Sequence, residues 1–305
     1  MSTPRQAHII EVGTRDGIQA EKQFVETEQK LHMLELILAA GVRRVEATSF
    51  VSPKHVPQLA DAEAVLAAMP RPEGVEFEAL VPNMRGMERA LACRLDRIVL
   101  FVAASEGFNL KNLRAGREKM LDAAREAAKE ALGAGLKVRG GVVTAFGCPY
   151  EGQVPAEAVE WIVGAYADMG CDEVALADTV GMSNPISIRA LVGRMREKFP
   201  AINFTLHLHN TRGAGLANLL AGLEAGVDTF DTSIGGLGGC PFAPRATGNI
   251  SSEDTVNMLH EMGVETGIDL PKLLEAVAYA ESIFGRQLPG QLLHAGPPEW
   301  DISAA

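Results

Sequence analysis

Short apolar runs and longer amphipathic segments alternate along almost the whole chain. The runs fall at His8–Val12, Arg43–Ser49, Glu76–Pro82, Arg97–Ala103, Lys137–Thr144, Glu173–Thr179, Asn203–His209 and Thr229–Gly235, and each has the length of a strand. Between them, segments such as Glu26–Ala40, Arg114–Ala134, Pro155–Met169, Pro185–Lys198 and Ala214–Ala225 read as helices. Gly41, Gly135, Gly170 and Gly226 stand where a glycine ends a helix. Strands joined by helical crossovers imply a parallel sheet. Eight such units predict a closed (β/α)8 TIM barrel, with additional C-terminal helices at Ser251–Met262 and Leu270–Gly285. An open doubly wound sheet would be expected to carry G-x-G-x-x-G after its first strand, and His8–Gly17 contains no such loop. The expected layout is a catalytic barrel with its C-terminal helices over residues 1–285 and a Pro/Gly-rich surface tail over 286–305.

Composition narrows the class further. A chain of 305 residues, 47% hydrophobic and 22% charged, has ample material for one large α/β domain. The formal net charge of −11, with no visible basic stripe, argues against nucleic acid or an anionic membrane as a partner, while leaving a small anionic ligand open. Cys93, Cys148, Cys171 and Cys240 are far apart and match neither a zinc pattern nor C-x-x-C. No run is long and apolar enough to span a bilayer, and the N-terminal residues do not form a secretion signal. A reduced, cytoplasmic protein is expected.

Candidate chemistry centres on His207-Leu208-His209. Side chains two apart on a strand share a face, so the two imidazoles point the same way and offer part of a divalent-metal shell. Alone, that short pattern reads first as a pair of hydrogen-bonded histidines. Other polar residues, however, recur at the ends of the predicted strands, where a barrel gathers its chemistry. Arg15 and Asp16 follow the first strand; Glu46 interrupts the second and Arg139 the fifth. Asp178 ends the sixth, and Gly235-Gly236-Leu237-Gly238-Gly239-Cys240-Pro241 follows the eighth, with Asn249 beyond. Each has a structural alternative: an Arg15–Asp16 turn pair, mutual neutralisation of Glu46 and Arg139, a capping role for Asp178, simple linkage for the glycines. Buried charges are costly without a partner, and a metal with an anionic substrate would supply one. Asp16, His207, His209 and Asn249 form a mixed nitrogen and oxygen set that suits Mg²⁺ or Mn²⁺ rather than structural zinc.

These residues carry a resemblance. Glu11 to Gly17 (EVGTRDG), Thr48 to Lys54 (TSFVSPK), Gly147 to Gly152 (GCPYEG), Asp178 to Gly181 (DTVG), the HLH stretch, and Gly235 to Pro241 with Gly248-Asn249 together resemble the 3-hydroxy-3-methylglutaryl-CoA lyase family. The likeness spans Glu11 to about Leu274. It implies Asp16, His207, His209 and Asn249 as metal ligands, and Arg15, Glu46, Asp178, His207 and Cys240 as catalytic positions. It further associates Arg139 with the active site and Lys22 with the phosphates of CoA. Two departures stand out: Asn210 follows the second histidine where the family has Asp, and Thr14 precedes Arg-Asp-Gly where it has Pro. Arg212 and Arg245 add cations near the rim, so the acyl group accepted stays open.

The resemblance implies a divalent-metal-dependent cleavage of an acyl-CoA, with CoA entering as part of the substrate and a homo-oligomer, dimer or higher, as the assembly. Arg15 would stabilise the enolate oxyanion. Asp178 or His207 would act as base, and Cys240 or His207 would return the proton. Gly235–Gly239 is expected to act as a lid that excludes water. The alternatives are a citramalyl-CoA-like substrate, a condensation of acetyl-CoA with a 2-oxo acid, or a non-catalytic metal- or CoA-binding barrel.

Overall fold

The structure, a computed structural model, describes residues 4–239 and 248–298. Strands β1 (His8–Glu11), β2 (Arg44–Ser49), β3 (Glu76–Leu80), β4 (Arg97–Ala103), β5 (Lys137–Val143), β6 (Glu173–Asp178), β7 (Asn203–Leu208) and β8 (Thr229–Thr232) pair in sequence order. All neighbours are parallel, and β8 pairs back onto β1, closing the barrel. The predicted fold is the one observed. Every crossover is helical: α1 (Thr27–Ala39), α2 (Ala62–Ala68), α3 (Met84–Leu91), the single turn α4 (Glu106–Phe108), α5 (Arg117–Gly133), α6 (Ala156–Asp168), α7 (Pro185–Lys198) and α8 (Gly215–Glu224). Beyond the barrel lie α9 (Ser252–Glu261), α10 (Leu270–Phe284) and α11 (Leu292–Ala295).

Local chemistry explains the boundaries. Asn184 caps α7 by accepting from Ser187 N, Ser187 Oγ reciprocates, and Pro185 sits at the first helical position where its missing N–H costs nothing. Asn83 and Asp269 cap α3 and α10 in the same manner. One continuous apolar layer packs the helices against the outer faces of the strands, with Leu34, Ile37, Val163, Val192 and Leu219 all buried.

Inside the barrel, the N-terminal opening is plugged by charge. Arg44 spans Glu78 and Glu173, each at 2.7 Å, and Arg97 pairs with Asp172 at 2.6 Å. Arg139, only 1% exposed, reaches Glu78 at 2.9 Å, Glu173 at 2.9 Å, Thr205 Oγ1 at 2.7 Å and Asp231 at 2.6 Å. In the stretch anticipated as a tail, the described residues 286–298 lie against the barrel. Leu288 is buried, Gly290 N donates to Gly235 O, and Gln291 and Leu292 donate to Asp254.

Candidate active site

At the opposite opening, β1 runs into a wide helical turn of π type, Gly13–Gly17, which carries Arg15 and Asp16 and brings Asp16 beside the histidines at the end of β7. Residues 248–252 return between the ends of β7 and β8. Ile250 N donates to Leu208 O, Asn210 N to Gly248 O, and Ser233 N to Ile250 O. That ladder brings Asn249 opposite His209. Two glycines permit the approach. Gly235 adopts φ 63°, and at Gly238, with φ 130°, a Cβ would lie 2.5 Å from the Asn249 amide nitrogen.

The result is a tight convergence. Ligand atoms of Asp16, His207 and His209 lie within 4.8 Å of one another. The Nε2 atoms of His207 and His209 are 3.1 Å apart, and His209 Nε2 is 3.9 Å from Asp16 Oδ2. Two imidazole nitrogens so close need a proton between them or a cation in front of both. Asn249 Nδ2 donates to Asp16 Oδ2 at 2.9 Å and to Leu237 O at 3.0 Å, while its Oδ1 is buried without a hydrogen-bond partner among the described residues. An orphaned amide oxygen beside two convergent imidazoles and a carboxylate fits an oxygen-loving divalent ion. Burial alone would raise the Asp16 pKa, but the Arg15 guanidinium and the two imidazoles hold it below the usual carboxylate range. It is therefore ionised, as a ligand must be.

The remaining predicted residues surround this set unequally. Arg15 pairs through Nη1 with Asp16 and donates from Nε to Glu46 Oε1 at 2.7 Å. Glu46 is 2% exposed; burial, partly opposed by Arg15, pushes its carboxyl up to about 7. Arg139 pairs with the acids of the barrel interior, whereas Glu46 takes Arg15. Asp178, at the end of β6, accepts from Met182 N at 2.8 Å, Ser183 N at 3.0 Å and Ser183 Oγ at 2.5 Å, and so caps the following turn. Its pKa is nonetheless raised by burial. Lys22 is exposed in the loop after the Gly13–Gly17 turn. Cys240, Pro241 and Arg245 lie outside the described residues.

One of the two departures acquires a local explanation. Asn210 Oδ1 accepts from Gly215 N at 3.0 Å, closing the turn into α8, and Thr14 is buried within the π turn. Arg212 Nη1 binds the carbonyls of Val180 and Gly181, both at 2.8 Å, and so ties the loops after β6 and β7 together.

Three acids that sequence reasoning left without a role border the site. Asp231 on β8 lies beside His207, its Oδ2 3.1 Å from His207 Nδ1. Glu11 accepts from Gly13 N, Ile234 N and Ser252 Oγ, and burial pushes it up to about 7. Glu253 accepts from Gly235 N at 3.0 Å and is pushed by burial up to about 8. Glu11 and Glu253 thus hold the root of the glycine loop. The available signal was a lone acid in each of two apolar stretches, Glu11 and Asp231, and an acidic pair, Glu253-Asp254, at a helix start.

Comparison with known proteins places the whole barrel in a family. Residues 6–279 match the HMGL-like family. The hydroxymethylglutaryl-CoA lyase YngG of Bacillus subtilis (strain 168) is 40% identical over 96% of this chain and 98% of its own length. The (R)-citramalyl-CoA lyase of Chloroflexus aurantiacus is 41% identical over 95% of this chain and 94% of its own. A solved HMG-CoA lyase from Acinetobacter baumannii, in complex with coenzyme A and 3-methylmalate, superposes with a TM-score of 0.93 at 38% identity, covering 97% of each chain. On its sequence and its barrel alike, the chain belongs to the HMGL-like family of lyases.

Proposed function

We propose that this protein is a divalent-metal-dependent lyase that cleaves 3-hydroxy-3-methylglutaryl-CoA to acetyl-CoA and acetoacetate. The observation that carries the reading is the meeting of Asp16, His207 and His209 at the C-terminal opening of the barrel, with Asn249 bonded to Asp16 and its amide oxygen orphaned. Those four residues would hold Mg²⁺ or Mn²⁺, which when bound supplies Lewis acidity to a substrate hydroxyl.

The chain's own groups would then do the rest. Of the two candidate bases, His207 has Nδ1 against Asp231 and Nε2 turned toward His209 and Asp16, so with an ion held there neither nitrogen would be left to take a proton. That favours Asp178, whose burial makes it a stronger base than a solvated carboxylate. Loss of the 3-hydroxyl proton to Asp178 lets the C2–C3 bond break. Its electron pair passes to the thioester as an enolate, and the ketone of acetoacetate forms. Arg15 is held by Glu46 and Asp16 with further N–H donors to spare, and would stabilise the enolate oxygen. Cys240 remains the proposed donor that protonates C2 to give acetyl-CoA, and Lys22 the proposed contact to the CoA phosphates.

A second substrate has a specific observation behind it, the 41% identity to a citramalyl-CoA lyase. Cleavage of citramalyl-CoA breaks the equivalent bond and releases pyruvate in place of acetoacetate. Among the described residues no helix is long and apolar enough to cross a membrane. A cytoplasmic location and a dimeric or higher assembly complete the proposal. The test is to supply each thioester to the purified enzyme with Mg²⁺ or Mn²⁺ and measure acetyl-CoA with acetoacetate or pyruvate. The reading expects a higher kcat/KM for the hydroxymethylglutaryl thioester and loss of turnover on chelation. Preference for citramalyl-CoA would transfer the assignment, and turnover indifferent to chelation would overturn it.

A further inference from the structure

Asp231 and His207 occupy matched positions on neighbouring strands, in the register His207 with Asp231. Their contact is directional: Asp231 Oδ2 meets Nδ1 of the imidazole at 3.1 Å, while the other carboxylate oxygen receives Arg139 Nη2 at 2.6 Å. Arg139 reaches across from β5 and is itself braced by Glu78, Glu173 and Thr205. Both Asp231 and Arg139 are buried, 3% and 1% exposed, so solvent does not compete for these contacts. A carboxylate held by a guanidinium is an acceptor only, so the hydrogen of a neutral His207 must sit on Nδ1. Nε2 then carries its lone pair toward His209 and Asp16. The opposite tautomer would place two acceptors in contact at Nδ1 and an N–H where a ligand lone pair is needed.

We propose that Asp231, clamped by Arg139, is a positioning residue that sets the tautomer and ring angle of His207 and thereby tunes divalent-metal affinity at the mouth of the barrel. The inference rests on the metal-centre reading above, and it links Arg139 to the site through Asp231. Carboxylate partners of this kind, behind a metal-bound histidine, commonly change metal affinity about 10- to 100-fold when removed.

The test uses the full chain, labelled with ¹⁵N-histidine and freed of metal, with His207→Gln to assign the His207 signals. Long-range ¹⁵N–¹H spectra are expected to show the Nδ1–H tautomer for His207 in the wild type. Asp231→Asn can donate to Nδ1 and is expected to switch the ring to Nε2–H. Titration with Mn²⁺ is expected to give a Kd about 10- to 100-fold weaker in Asp231→Asn than in the wild type. Wild-type His207 in the Nε2–H form, or a folded Asp231→Asn that binds Mn²⁺ as the wild type does, would overturn the proposal. If Asp231→Asn does not fold, the wild-type tautomer decides the question alone. A wild type with the Nδ1–H form but no saturable Mn²⁺ site would instead sink the metal-centre reading and, with it, the role in affinity.

Discussion

The two ends of the barrel gather buried polar side chains to opposite effect. At the N-terminal opening, Arg44, Arg97 and Arg139 meet Glu78, Asp172 and Glu173 in close pairs, and the charges neutralise one another. At the C-terminal opening, Asp16, His207, His209 and Asn249 converge mainly as acceptors, and the Asn249 oxygen has no donor among the described residues. A charge-paired cluster of this kind plugs and orients; a cluster of converging acceptors waits for a cation. Asp231 joins them, with one oxygen on Arg139 from the plug and the other on His207 from the mouth.

Breaking the charge-paired end should have the largest effect on folding. Arg139→Met leaves Glu78, Glu173 and Asp231 buried with less compensation, and is expected to cost about 3–5 kcal/mol in urea unfolding. A loss within experimental error would mean that the plug is not a coupled network. At the mouth, Arg15→Gln removes the guanidinium proposed for the enolate oxygen. Turnover should fall about 100- to 1,000-fold while metal content, measured by atomic absorption, is retained. Turnover near wild type would remove Arg15 from that role.

A smaller effect sharpens the comparison at the root of the glycine loop. The Glu253 carboxyl is pushed from 4.5 up to about 8, above its unfolded value. Between those pH values the folded chain keeps a proton that the unfolded chain has lost, so stability falls as pH rises through this window. Glu11 and Glu46, each at about 7, add to the fall below neutrality, and Glu253 dominates between pH 7 and 8. Glu253→Gln should flatten the upper part of the profile by an amount on the order of a few kcal/mol at most, read from urea midpoints at pH 5, 7 and 8. Parallel profiles for variant and wild type would contradict it. The smallest change is expected from Asn210→Asp, because either side chain can accept from Gly215 N. Mn²⁺ affinity should stay within roughly a factor of two, the scale of a substitution that leaves key contacts intact. A larger gain would draw residue 210 into the metal shell.

The fold was legible because its information is local. Strand-length apolar runs, amphipathic segments and capping residues such as Asn184 and Gly226 repeat with the period of a β/α unit, and the helix over Pro185–Lys198 has the predicted bounds. The site was legible where a motif is contiguous, as in Arg15-Asp16 or His207-Leu208-His209. Cross-barrel pairing was not. Whether Arg139 meets Glu46 or Asp231 depends on which inward-facing layer each strand contributes, and that follows from register around the closed sheet rather than from spacing along one strand. Asp231 was hidden for the same reason: a single Asp in Thr229-Phe230-Asp231-Thr232 gains meaning only beside His207. Asn210 teaches the converse: although it follows the histidines in sequence, its side chain serves the turn into α8.

The central claim, a cation centre at the acceptor-rich end of the barrel, is tested most directly by anomalous diffraction from crystals soaked in Mn²⁺. The account predicts one strong peak enclosed by Asp16, His207, His209 and the Asn249 amide oxygen, lost in Asp16→Asn. A peak elsewhere, or none at saturating Mn²⁺, would contradict it.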